Sequence, residues 1–199
     1  MKKLLLALAL GAAANTAMAQ DVKFGLKIGP TLSSYYGEAR PNNSKYMLGL
    51  NGGVSANIGL TDLLSFQPEL LYSQKGNEFT NGAVKSTTRL NYLDVPLLLR
   101  IDVDGPFFEI GPHVGYALSV TSTDEVNGTS NSFDNKSNVN DWDAGVVLGI
   151  GYQLDNGLSI GGRYNPSFTR VAVNDPAGRE IKVYNSAIQF QLGYRFGDK

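Results

Sequence analysis

The chain contains no cysteine and one histidine among its 199 residues. Disulfides and thiolate metal sites are therefore excluded, and a zinc site would lack ligands. The 17 Lys and Arg nearly balance the 18 Asp and Glu, so no excess of positive charge indicates a nucleic acid partner. After residue 20 no apolar run is long enough for a membrane-spanning helix. These absences exclude disulfide-stabilised, helical-membrane and nucleic-acid-binding classes of protein.

The first 19 residues have the form of a secretory signal peptide. Lys2 and Lys3 provide the positive start, residues 4–14 form a short apolar run, and Ala17-Met18-Ala19 is a small-x-small cleavage site. We therefore predict that residues 1–19 are a cleaved signal peptide and that residues 20–199 form one domain. Removal of two lysines leaves 15 basic and 18 acidic residues, a net charge of about −3.

Apolar side chains recur at every second position in eight segments of this domain. Between Trp142 and Leu154 the even positions are apolar, whereas the odd ones carry Asp143, glycines and Gln153, with Val147 the exception. A period of two predicts β-strands with one apolar and one polar face. The eight predicted strands span residues 22–33, 46–60, 64–75, 88–101, 106–120, 142–154, 158–171 and 183–196.

The connections between these segments alternate in length. Residues 59–63, 103–105 and 155–157 form tight turns, whereas the segments near 34–45, 77–87, 122–141 and 172–181 are long and polar. Short turns on one side and long loops on the other are typical of periplasmic turns and extracellular loops. We predict an all-β fold: an eight-stranded antiparallel up-and-down transmembrane β-barrel of the small OmpA/OmpX-like architecture. The barrel would lie in outer-membrane lipid, with both termini periplasmic because the strand number is even.

Aromatic side chains cluster toward both ends of the predicted strands. We interpret them as the two aromatic belts that mark membrane interfaces. The predicted belt residues are Tyr72, Tyr92, Tyr116, Trp142 and Tyr164 beside the long loops, and Tyr152, Tyr194 and Phe196 near the short turns.

The second face of the strands is rich in glycine and in charges of both signs. The predicted lumenal polar network comprises Lys27, Glu69, Asp94, Arg100, Glu109, His113, Asp143, Arg163 and Arg195, and Lys23, Lys75 and Arg89 are also assigned inward. The interior of an eight-stranded barrel is just wide enough for side chains, so these groups should pair across it. Glu69 and Glu109 are expected to pair with Arg163, Arg195 or Lys27. We interpret the network as a structural plug, with a narrow ion path as the alternative.

No catalytic, cofactor or metal site is predicted. His113 would need a nucleophile such as Ser119 and an orienting acid, and its mid-strand position does not suit a site working at the lipid. The oxygen-rich segment from Asp124 to Asp141 lacks the ordered spacing of a calcium-binding loop.

Several segments resemble the PorT-type family of small outer-membrane β-barrels. The resemblance rests on Ser65–Gly76 (SFQPELLYSQKG), Leu90–Arg100 (LNYLDVPLLLR), Gly111–Tyr116 (GPHVGY), Asp143–Tyr152 (DAGVVLGIGY) and shorter pieces at 25–29, 162–164 and 193–196. It implies an eight-stranded barrel in a Gram-negative envelope and, through the family's namesake, an association with protein secretion. It also implies delivery by the barrel-assembly machinery, which recognises terminal-strand aromatics such as Tyr194 and Phe196.

Three functions fit these features. The first is a non-enzymatic outer-membrane component that acts through its extracellular loops on an envelope protein partner, in a structural, adhesion or secretion-accessory role. The second is a narrow pore for small solutes or ions, which needs an unfilled lumen. The third is a soluble exported barrel that binds a ligand, with the two faces exchanged. Glycines with mixed charge suit a narrow interior better than a solvated exterior, which favours a membrane barrel.

Overall fold

The structure is a computed structural model that describes residues 22–172 and 180–197. The predicted signal peptide lies outside the described residues. The strands of the described part are β1 (Val22–Tyr36), β2 (Ser44–Lys45), β3 (Met47–Gly59), β4 (Leu64–Asn81), β5 (Val84–Asp102), β6 (Pro106–Val126), β7 (Thr129–Asp134), β8 (Trp142–Gln153), β9 (Leu158–Arg170) and β10 (Tyr184–Arg195). Among these residues, no helix has the length and apolar character needed to cross a membrane.

Eight strands close into an antiparallel ring in the order β1, β3, β4, β5, β6, β8, β9, β10. The ring is completed by pairing of the first and last strands, from Gly25 opposite Arg195 to Tyr36 opposite Tyr184. The short strands β2 and β7 add to β4 and β6 outside the ring. The predicted eight-stranded up-and-down barrel is therefore confirmed.

The barrel has its polar side chains inside and its apolar side chains outside. On β8, Leu148 and Ile150 are 46% and 58% exposed, whereas Asp143 on the same strand is 2% exposed. Leu26, Val54 and other large apolar side chains of the outer surface follow the same alternation. An apolar band of this kind faces hydrocarbon in a membrane barrel.

Two of the segments predicted as loops are largely extended β-hairpins. β4 and β5 continue to Asn81 and Val84, which pair across a turn at Gly82, so only residues 82–83 remain a turn. β6 continues to Val126 and pairs with β7, which the sequence did not predict. Both faces of these extensions are polar, so no alternation of hydropathy marked them as strands.

A bulge in β6 reverses the predicted faces near its upper end. Asn91 lies opposite Ser119, but its neighbour Tyr92 lies opposite Ala117, so β6 contains one extra residue. Uninterrupted alternation along residues 106–120 predicts that Ser119 faces inward and Val120 outward, but beyond the bulge Ser119 is exposed and Val120 is buried. Arg89 is also exposed rather than lumenal, because odd-numbered residues of β5 point outward.

Seven of the eight predicted belt aromatics lie on the outer surface. Tyr72, Tyr116 and Trp142 form part of one row across β4, β5, β6 and β8, and the last two rings are 5.1 Å apart. Tyr152, Tyr194 and Phe196 lie near the short turns, and Tyr164 lies midway along β9. Their location at membrane interfaces stays a prediction.

The prediction that Tyr92 belongs to a belt is wrong. Tyr92 is 1% exposed and points into the barrel. It is an even-numbered residue of β5 and shares the inward face with Asp94 and Arg100. Its ring is large enough to fill the upper lumen, where it packs among apolar side chains.

Candidate functional site in the lumen

The middle of the lumen is crossed by a cluster of five charged side chains. Arg163 on β9 binds Glu69 on β4 through Nη1–Oε2 and Nη2–Oε1 distances of 2.6 and 2.8 Å. It also donates from Nε to Glu109 on β6 at 2.7 Å. Lys27 on β1 reaches both carboxylates, Glu69 at 2.7 Å and Glu109 at 3.2 Å. Arg100 completes the cluster 3.5 Å from Glu109.

These ion pairs connect opposite walls of the barrel. β4 and β9 are four strands apart in either direction around the ring, and so are β1 and β6. The Glu69–Arg163 and Lys27–Glu109 pairs therefore lie along two crossing diameters. Because every carboxylate is paired and hydrogen-bonded, the cost of burying these charges is offset.

Arg100 fills the lumen on the short-turn side of this cluster. Its guanidinium binds Asp102 at 2.6 Å, donates to Gln153 at 3.2 Å and stacks 3.7 Å from the centre of the Phe107 ring. A planar guanidinium can make a bidentate ion pair and an aromatic stack at once. With Asp102 included, three cations and three anions balance in this part of the lumen.

A second polar cluster lies toward the long hairpins. Lys75 on β4 bridges Asp94 at 3.0 Å and Asp143 at 3.2 Å, and Ser167 donates to Asp143 at 2.8 Å. His113 is buried with Nε2 3.7 Å from Asp143, a distance too long for a hydrogen bond. Neither His113 nitrogen has a hydrogen-bond partner among the described residues.

Glycines make the room that this second cluster needs. A Cβ at Gly115 would stand 2.3 Å from Asp94 Oδ1. A Cβ at Gly145 would stand 2.2 Å from the Pro166 carbonyl oxygen and 2.7 Å from the His113 ring. The inward-facing glycines thus lie where large polar side chains, or the backbone of the neighbouring strand, come closest to them.

An apolar cluster closes the lumen at the end of the long hairpins. Its buried members are Leu90, Tyr92, Ala117, Val120, Val171 and Val183. The Tyr92 hydroxyl accepts a hydrogen bond from Asn185 Nδ2 at 3.4 Å, and their strands are again four apart around the ring. Sequence reasoning missed this cluster. Alternation along the predicted strand 88–101 places Tyr92 on its inward face, and Leu90 shares that face, but the bulge in β6 conceals the burial of Val120.

Little free volume remains beside the charged side chains of the central cluster. A cavity bordered by Lys27, Glu109 and Arg163 measures about 10 Å³, enough for about one water molecule. At the short-turn end a recess of about 510 Å³ is lined by Lys23, Asp102 and other residues. Arg195, the third expected partner of Glu69 and Glu109, also lines this recess and is half-buried.

The structure separates His113 from Ser119, the nucleophile considered for it. Ser119 is on the outer surface, whereas His113 is inside, so the two cannot act together. In the ranges 22–172 and 180–197, no group of three or more His, Cys, Asp or Glu side chains is arranged to hold a metal ion.

The sequence matches the family described as outer membrane protein beta-barrel domain over residues 16–173. This match spans most of the chain, so the chain belongs to that family. The protein is accordingly an outer-membrane β-barrel. No curated protein sequence matches the chain.

The structure is similar to solved outer-membrane barrels. Neisserial surface protein A (NspA) aligns with a TM-score of 0.54 at 11% identity, over 87% of this chain and 97% of that one. Ail, the attachment invasion locus protein of Yersinia pestis, aligns with a TM-score of 0.45 at 14% identity, over 87% of this chain and 98% of that one. OprG from Pseudomonas aeruginosa aligns with a TM-score of 0.40 at 14% identity, over 89% of this chain and 97% of that one. The NspA match shows a shared fold.

Proposed function

We propose that this protein is a non-enzymatic outer-membrane barrel whose lumen is a structural core and whose extracellular hairpins carry its activity. The observation that carries the proposal is the filled lumen. The side chains of Glu69 and Arg163 extend from opposite walls of the lumen and meet at an Oε2–Nη1 distance of 2.6 Å. The apolar cluster around Tyr92 closes one end of the lumen. A lumen packed in this way leaves the surface as the place of action.

The hairpins β4–β5 and β6–β7 would provide that surface. They extend the sheet well past the lumenal clusters, to turns at Gly82 and at Asn127-Gly128. In this proposal they are extracellular, and both termini and the three short turns are periplasmic. An even number of ring strands returns the chain to the side where it began.

The proposed partner is an envelope protein. The PorT-type resemblance, carried by segments such as Leu90–Arg100, supports a structural or secretion-accessory role beside such a partner. Insertion would depend on the barrel-assembly machinery, with Tyr194 and Phe196 at the end of β10 as the recognised aromatics. The soluble ligand-binding alternative would require an apolar lumen, whereas the buried set is dominated by polar and charged side chains.

Two single cysteines test the orientation in a chain that has none of its own. Val126→Cys lies beside the β6–β7 turn and Asp155→Cys in a short turn, and both positions are exposed. A membrane-impermeant maleimide applied to intact cells should label the first and leave the second unlabelled until the outer membrane is opened. Equal labelling in intact cells would contradict the proposed orientation.

Cross-linking then tests the proposed activity. A heterobifunctional cross-linker attached at Val126→Cys in intact cells should give a discrete adduct with one envelope protein, identified by mass. Asp155→Cys, reached in cells with a permeabilised outer membrane, is the matched control and should not give that adduct. A correctly inserted, labelled barrel that gives no adduct from the hairpin would overturn the interaction role.

A further inference from the structure

The strand β7 presents an open edge. Among the strands described, it pairs with β6 alone, and all six of its residues are exposed. Its pairing shows no bulge, and Thr129–Asp134 contains neither Lys nor Pro. Proteins often protect a strand edge with a bulge, a lysine or a proline, because the unpaired backbone groups of an edge can bind other chains. Among the described residues, the β7 edge shows none of these three protections.

The turn determines which backbone groups point to the open side. Asn127 and Gly128 have φ of 50° and 80°, as a two-residue type I′ turn requires. The residues that flank such a turn, Val126 and Thr129, form a hydrogen-bonded pair. Hydrogen-bonded pairs then alternate along the ladder, so Asn131 bonds to β6.

The same alternation continues to the end of β7. The Asn135 N–H donates to the Val120 carbonyl at 3.0 Å, as the pattern requires. The side chains of Ser132 and Thr123 are 2.8 Å apart, which fits a pair without backbone bonds. The backbone N–H and C=O groups of Ser130, Ser132 and Asp134 therefore face away from β6, toward solvent.

The charged side chains of the hairpin itself are all acidic, whereas Lys85 on β5 lies opposite Glu125 and Lys136, just beyond β7, pairs with Asp141. Residues 120–135 include Asp124, Glu125 and Asp134 and contain no Lys or Arg. Glu125 lies opposite Ser130 on the outward face. A residue of an added strand that pairs with Ser130 would be two strand spacings, roughly 10 Å, from Glu125. The small serine side chain leaves that path open to a long basic side chain. Charge complementarity thus favours a basic partner strand.

A second copy of this chain does not fit the edge. Copies inserted in one membrane with the same orientation present β7 in the same direction, so their edges could pair only in parallel. Pairing would also bring Asp134 and Glu125 of one copy close to the same acids of the other. Like charges across strands are destabilising.

We propose that the open edge of β7 is a docking site for an extended basic polypeptide segment, bound by strand addition to the backbone of Ser130, Ser132 and Asp134. The proposal rests on the proposed function for the placement of this edge outside the cell. It names the chemistry of the partner segment: an extended strand with Lys or Arg on alternate positions.

The test uses the full chain, folded in detergent micelles, and two synthetic seven-residue peptides. The basic probe alternates Lys with Thr and Val, and the control probe has Glu in place of each Lys. Ser132→Pro removes an N–H from the open edge without touching the β6 ladder, whereas Ser132→Ala keeps that N–H. The basic probe should bind the original chain and Ser132→Ala with the same affinity. Its affinity for Ser132→Pro, and the affinity of the acidic probe for the original chain, should each be weaker by about tenfold or more.

Amide hydrogen exchange locates the binding. In the free protein Asn131 and Phe133 amides should be protected, and the basic probe should add protection at Ser130 and Ser132. Persistent protection of Asn131 and Phe133 in Ser132→Pro would show that the hairpin is intact in that variant. Equal binding to Ser132→Pro, or new protection that does not alternate along β7, would overturn the docking site.

The two proposals fail in different ways. If the peptide experiment fails while Val126→Cys still cross-links an envelope protein, the edge is overturned and the surface role stands. If the edge binds the basic probe in this pattern while cells give no adduct, the docking chemistry is supported and the proposed cellular role is overturned.

Discussion

Arg163 and Glu69 form a bidentate ion pair across the full width of the barrel. Their strands are four apart in both directions around the ring, and the two side chains meet at 2.6 and 2.8 Å near the barrel axis. Glu69→Ala leaves the Arg163 charge short of one buried partner. We expect it to lower the free energy of unfolding by about 3–5 kcal/mol, measured by denaturant unfolding in detergent micelles.

Glu78→Ala is the matched control for Glu69→Ala. Glu78 pairs with Lys85 at 3.0 Å, but on the hairpin, where the Lys85 side chain is 48% exposed. An ion pair in water contributes about 0–1 kcal/mol, so this substitution should have little effect. Equal effects of the two substitutions would contradict the structural role of the lumenal cluster.

Tyr92 should stabilise the barrel through its ring more than through its hydroxyl. Tyr92→Ala opens a cavity within the apolar cluster and removes the ring that lies 4.9 Å from Lys75 Nζ. We expect a loss of about 3–5 kcal/mol, as for other large aromatic truncations. Tyr92→Phe loses only the 3.4 Å hydrogen bond to Asn185 and should cost about 0.5–1.5 kcal/mol. Thermal unfolding followed by gel mobility without boiling would rank the two, and a larger loss for Phe would refute this assignment.

Gly145 should tolerate no side chain, whereas Gly162 should. A Cβ at Gly145 would meet the Pro166 carbonyl oxygen at 2.2 Å, but a Cβ at Gly162 meets nothing within 4 Å. Gly145→Ala is expected to lower the free energy of unfolding by about 1–3 kcal/mol through overpacking. Gly162→Ala should cause no loss, since alanine is less costly to order than glycine. Similar destabilisation by both would argue against the close approach of β8 and β9.

The β6–β7 hairpin should be dispensable for folding of the barrel. All six residues of β7 are exposed, Thr123 and Asp124 on β6 are only half-buried, and no residue of 123–132 belongs to the buried apolar cluster. Replacing residues 123–132 by Asn-Gly would join Ser122 and Phe133, a hydrogen-bonded pair by the ladder alternation, through a tight turn. We expect the unfolding midpoint and the heat-dependent gel shift to stay unchanged. A large drop in the midpoint would mean that the hairpin supports the lumen.

The sequence was sufficient to predict the ring of strands, because a two-residue period appears wherever one face meets lipid and the other a polar lumen. Asp143 and Leu148, for example, fall on the faces that alternation assigns. Alternation could not reveal β7 or the upper part of β5, since both of their faces are polar. It also failed beyond the β6 bulge, where a single extra residue exchanges the faces of Ser119 and Val120.

Partners within the lumen needed the three-dimensional ring. The two-residue alternation placed Glu69, Glu109, Lys27 and Arg163 on one face, but the strand order and stagger decide which of them meet. Arg195 illustrates the limit: it shares the inward face, yet it lies at the opening of the barrel rather than in the central cluster. Tyr92 shows that an aromatic at a strand end is not enough to define a belt, because its parity on β5 directs it inward.

The most direct test of the filled lumen is ion conductance in planar lipid bilayers. The folded protein, checked for insertion by its heat-dependent gel shift, should show no discrete conductance steps above the membrane leak at neutral pH and moderate voltage. The Glu69–Arg163 and Lys27–Glu109 pairs and the apolar cluster predict this result. Stable, reproducible steps from the unmodified chain would contradict a closed lumen and establish the barrel as a pore.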